Sequence, residues 1–68
     1  MRKLSWETIS TLTLDELDHY ARLSLIRSED RDRYLTLWNA TTGRFTVARW
    51  EDGAIRMRDR DSGRVERA

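Results

Sequence analysis

The chain reads as a small α+β domain: an N-terminal helix packed on one face of a three- to four-stranded antiparallel β-meander. Two observations lead there. Gly43, Gly53 and Gly63 fall ten residues apart, and each closes a three-residue polar spacer (Thr41-Thr42-Gly43, Glu51-Asp52-Gly53, Asp61-Ser62-Gly63) between runs rich in strand formers. Three-residue hairpin loops commonly place their last residue in the left-handed region, where glycine has no Cβ penalty. Thr13-Leu14-Asp15-Glu16 matches the capping box that starts a helix.

Sixty-eight residues make a single domain, with residues 1–32 as helical part and charged connector and residues 33–68 as meander. In order along the chain, Leu4, Trp6, Ile9 and Leu12 form one short helical turn whose apolar side lids the core. Thr13 then caps a helix in which Leu14, Leu17, Ala21 and Leu25 keep helical spacing, with Leu12 stapled onto Leu17. That helix is expected to end near Arg27 or Ser28. Leu23 and Leu25 also alternate with polar neighbours, so Arg22 to Arg27 has a second reading as a strand. Ser28-Glu29-Asp30-Arg31-Asp32 is the charged connector, and strands are expected from residue 33 onward.

The turns fix the facing. Three-residue loops set Trp50 opposite Ala54, which gathers Leu35, Leu37, Phe45, Val47, Ile55, Met57 and Val65 on the face under the helix. The other face then holds the candidate partner-binding residues Tyr34, Trp38, Arg44, Trp50, Arg56, Arg58, Arg60 and Arg64, with Thr46 and Ala48 between them. A two-residue turn at Asp52-Gly53 would instead bring Ile55 and Met57 onto the face of Trp50.

Composition narrows the function classes. With 38% apolar residues and six aromatics the chain is folded rather than disordered, at a mean hydropathy of -0.80. No cysteine is present, which excludes disulfides and thiolate metal sites and points to a reducing, cytoplasmic setting. No apolar run approaches the length of a membrane span. Residues 1–32 hold five Lys/Arg against seven Asp/Glu, residues 33–68 eight Arg against five, so a +1 net charge conceals a basic C-terminal part.

No catalytic, cofactor or metal site is expected. Asp15 and His19 stand four residues apart on one helix face, which reads as a surface pair. Asp59-Arg60-Asp61-Ser62-Gly63 has its glycine one position early for a calcium loop and reads as a turn. Tryptophan, tyrosine and arginine are the side chains most enriched at binding hot spots. The expectation is therefore a non-enzymatic binding protein, monomer or homodimer, whose partner is a larger protein or nucleoprotein complex. Small charged proteins without enzymatic motifs are often inhibitors or adaptors carried by phages and other mobile elements, anti-CRISPR proteins among them. The alternative is nucleic acid, with bases stacked on the rings and phosphates met by arginine. Net charge disfavours it, since +1 gives little long-range attraction for a polyanion.

Overall fold

The computed structural model describes residues 2–42 and 46–59 and shows a small α+β protein with three helices and a two-stranded antiparallel sheet. The helices are α1 (Trp6–Ile9), α2 (Leu14–Arg22) and α3 (Ser28–Thr41), and the strands are β1 (Thr46–Glu51) and β2 (Ala54–Asp59).

The helical start is where the capping box puts it. Glu16 N–H donates to Thr13 Oγ1 at 3.2 Å while Thr13 N–H donates to Glu16 Oε1 at 2.8 Å. The short turn before it also forms, and it carries Ile9 into the interior, fully buried with Leu17. The far end of α2 differs from expectation. Ser24 takes a left-handed φ of 63°, and Leu25 N–H bonds Tyr20 O while Ser24 N–H bonds Ala21 O. That pair of bonds is a Schellman stop, with serine where glycine is usual. Arg22 is the last residue of α2, and residues 23–27 are neither continued helix nor strand: Leu25 passes on in a connector, where its carbonyl accepts from Leu4 N–H at 2.7 Å.

The largest correction concerns residues 28–41. The supposed connector and first strand are together one fourteen-residue helix, α3. Glu29 and Asp30 lie in its first turn, where the dipole favours them, and no glycine or proline interrupts the run. Tyr34, Leu35, Trp38 and Asn39 share a helical face as readily as Tyr34, Thr36 and Trp38 would share a strand face. Burial of Tyr34 and Leu35 decides the matter over their intrinsic strand preference.

The hairpin turn has two residues. Asp52 and Gly53 adopt φ of 55° and 77°, as a type I′ turn requires, and Glu51 pairs with Ala54, Trp50 with Ile55, and Ala48 with Met57. Relative to a three-residue loop this flips β1. Ala48 and Trp50 share the inner face with Ile55 and Met57, while Val47 joins Arg49, Arg56 and Arg58 outside. Ala48 is buried in the core with Ile9, Leu17, Ile26, Tyr34 and Leu35. Gly43, Phe45, Gly63 and Val65, and with them a fourth strand, lie outside the described residues.

Each outer edge of the hairpin is met by a side chain from a helix. The register leaves the N–H groups of Ala48 and Ile55 pointing away from the partner strand. Ala48 N–H donates to Asn39 Oδ1 at 2.8 Å and Asn39 Nδ2 donates to Ala48 O at 3.0 Å, so an amide from α3 mimics a neighbouring strand. On the other side, Ile55 N–H donates to Asp18 Oδ1 of α2 at 3.0 Å. Asp18 Oδ2 meanwhile pairs with Arg22 at 3.0 Å.

Candidate functional site

The residues expected on one sheet face are divided among three places. Tyr34 and Trp38 stand on α3 and face α1 rather than a strand. Trp50 lies on the inner face of the hairpin, partly buried against the core, with the Arg31 guanidinium 4.9 Å from its ring centre. Arg56 and Arg58 do lie on the exposed outer face. Arg44, Arg60 and Arg64 lie outside the described residues.

On that outer face Arg49 sits directly opposite Arg56, a like-charge cross-strand pair that disfavours the hairpin. Glu51 is the local counter-ion. Arg58 donates to Glu51 Oε1 at 2.6 Å, and this bond, together with the charges of Arg58, Arg49 and Arg56, holds the Glu51 carboxyl below the usual carboxylate range. The pair lies at the surface, with Glu51 part-exposed and Arg58 mostly exposed, so solvent screens the effect.

Three depressions on the described surface bear on function. One, of about 380 Å³, runs between α3 and β1 past Asp32, Asn39, Arg49 and Glu51. Its carboxylates are already answered, Asp32 by Arg31 and Glu51 by Arg58. A smaller one of about 220 Å³ lies beside β2 at Asp15, Asp18 and Met57. The third is different in kind. A trough of about 350 Å³ between α1 and α3 is lined by Trp6, Ser10, Tyr34, Leu37, Trp38 and Thr41, none of them charged.

Helical geometry explains this trough. On α3, Leu35 and Asn39 turn toward the hairpin, whereas Tyr34, Leu37, Trp38 and Thr41 turn toward α1. Tyr34 is anchored by its hydroxyl, which donates to the Leu12 carbonyl at 2.5 Å. Burial, and secondarily the charge of Glu16, raises the phenol pKa above its ordinary value. Leu37 is left 49% exposed. The Arg33 guanidinium stacks 4.1 Å from the centre of the Trp6 ring.

Trp6, Arg33 and Leu37 were not among the expected partner-binding residues. Reading residues 28–41 at a period of 3.6 would have placed Arg33 and Leu37 one turn apart, beside Tyr34 and Trp38. Among the described residues no group of His, Cys, Asp and Glu could hold a metal ion. His19 packs edge-to-face on Tyr20, and no ion pair joins it to Asp15. No described helix is long and apolar enough to cross a membrane. No family model, curated protein or solved structure matches the chain.

Proposed function

We propose that the chain is a small non-enzymatic binding protein, an inhibitor or adaptor, that engages a larger protein through the trough between α1 and α3. One observation carries this reading: a chain whose described core has only six buried apolar residues leaves Leu37 half exposed beside the rings of Trp6 and Trp38. So small a domain gains from burying every large apolar residue, and a cluster of them at the surface marks an interaction site. Tryptophan rings flanking a leucine supply the desolvated centre that dominates protein interfaces. A catalytic cleft with its supporting residues finds little room in 68 residues.

The runner-up is nucleic acid bound by the outer hairpin face. The facing pair Arg49 and Arg56 favours it, because a polyanion would relieve their repulsion. The test compares Leu37→Asp with the double variant Arg49→Ala/Arg56→Ala, both first checked for a parental melt. Each serves as bait in a host extract analysed by quantitative mass spectrometry, and each is titrated with oligonucleotides at about 50 and 200 mM salt. The expected result is a protein retained by the parent and the arginine variant and lost with Leu37→Asp. Micromolar oligonucleotide binding that vanishes with the arginine variant and ignores Leu37→Asp would reverse the ranking.

A further inference from the structure

The trough ends at a cation that pairs with no carboxylate among the described residues. Arg33 stands one turn before Leu37 on α3, is exposed, and takes part in none of the four ion pairs among the described residues, which use Arg22, Arg27, Arg31 and Arg58. Its Cζ lies 4.1 Å from the centre of the Trp6 ring, and no hydrogen bond to a described residue engages its N–H groups. That rigid fork of donors matches a carboxylate bidentately. The trough walls carry no charge of their own, and Arg33 reaches them through its contact with Trp6.

The walls also select the backbone form of what enters. Two helices flank the trough, and the hairpin lies on the opposite side of α3, held there through Asn39. An extended segment would find no strand edge to pair with, and its N–H and C=O groups would be pressed unpaired against apolar side chains. A helix satisfies its own backbone. From Tyr34 to Thr41 the trough follows α3 for about 10 Å, two helical turns. Two apolar side chains spaced i, i+4 on a docking helix lie about 6 Å apart along its axis, so both fit within that length.

We infer, building on the trough as the protein-binding surface, that the partner docks an amphipathic helix there. Two large apolar side chains one turn apart fill the trough, and an Asp or Glu beside them pairs with Arg33. The partner is thus an acidic amphipathic segment, neither a basic helix nor an extended strand.

A library of random 16-residue peptides, displayed and panned against the full chain, tests this. Enriched sequences are expected to share an i, i+4 apolar pair flanked by Asp or Glu. A synthetic peptide of that consensus should lose about thirtyfold or more in affinity to Leu37→Asp or Leu37→Ser. It should lose about tenfold to Arg33→Glu, and a Lys-for-acid version of the peptide should recover that loss on Arg33→Glu alone. A proline at the peptide's centre should cost at least about tenfold. Failure to enrich any peptide, or enrichment indifferent to both Leu37 variants, overturns the trough reading and this inference with it. Peptides that require Leu37 but bind Arg33→Glu equally well, or tolerate the proline, overturn the acidic-helix inference and leave the trough as a binding surface.

Discussion

Asn39→Ala is expected to loosen the whole hairpin. The Asn39 amide donates to Ala48 O and accepts from Ala48 N–H, and Ala48 is only 1% exposed. Truncation leaves one buried donor and one buried acceptor without partners, each costing about 1–3 kcal/mol. Partial entry of water reduces the sum, which gives a loss of about 2–4 kcal/mol. A domain of this size has about 3–10 kcal/mol in total, so the variant should lose about a fifth or more of its stability and melt about 10–30 °C lower. Asn39→Asp distinguishes a hydrogen-bonding role from a packing role. It keeps the acceptor for Ala48 N–H but sets a second oxygen against Ala48 O, and should be at least as damaging at neutral pH. Its deficit against the parent should narrow as the pH falls toward about 4, where the protonated carboxyl regains a donor. The assays are urea melts followed by tryptophan fluorescence and amide exchange at Ala48. An Asn39→Ala protein that melts within about 0.5 kcal/mol of the parent with Ala48 still protected would refute the clamp.

Thr13→Ala, which removes one arm of the capping box, should cost about 1 kcal/mol and lower the helical circular dichroism; a parental melt would mean the box contributes nothing. Gly53→Val should cost about 1–2 kcal/mol through backbone strain alone, since a Cβ there meets no atom within 4 Å, and Gly53→Asn should recover most of it in a thermal melt. Arg58→Ala should let the Glu51 carboxyl titrate closer to its ordinary range by NMR, and an unmoved titration would show that the 2.6 Å bond is not made in solution. The folded-state pKa of Glu51 is depressed, so its small contribution is present above the unfolded carboxyl range and fades as pH falls through the folded value. Tyr34→Phe should cost about 1 kcal/mol at neutral pH. The Tyr34 pKa is raised in the fold, so its contribution is complete below about pH 10 and is lost as pH rises beyond it. Denaturant midpoints at pH 7 and 10.5 should show a smaller alkaline loss in the variant.

Local rules with a strict chemical basis were legible in the sequence: the Thr13/Glu16 box, the turn that buries Ile9, and a positive φ at Gly53. Patterns open to two periods were not. Tyr34-Leu35-Thr36-Leu37-Trp38 alternates like a strand and also places 34, 35 and 38 on one helical face, and only the contacts with Leu12, Ala48 and Trp6 separate the two. The candidate site inherited that ambiguity. Tyr34 and Trp38 were expected on a sheet face and stand instead on a helix, and their neighbours Arg33 and Leu37 were visible only at helical spacing. One residue of turn length was enough to turn Trp50 inward.

The Asn39 and Asp18 caps also bear on how the protein behaves in crowded solution. A two-stranded ribbon with both margins bare is a template on which further strands from other molecules can stack into fibrils. Here the amide of Asn39 occupies the hydrogen-bonding positions of Ala48, and the carboxylate of Asp18 takes the N–H of Ile55. An incoming strand must displace Asn39 to pair at Ala48 and Asp18 to pair at Ile55. Two polar side chains therefore guard one point on each margin of the described hairpin, and their loss would expose the ribbon to self-assembly as well as lowering its melting temperature.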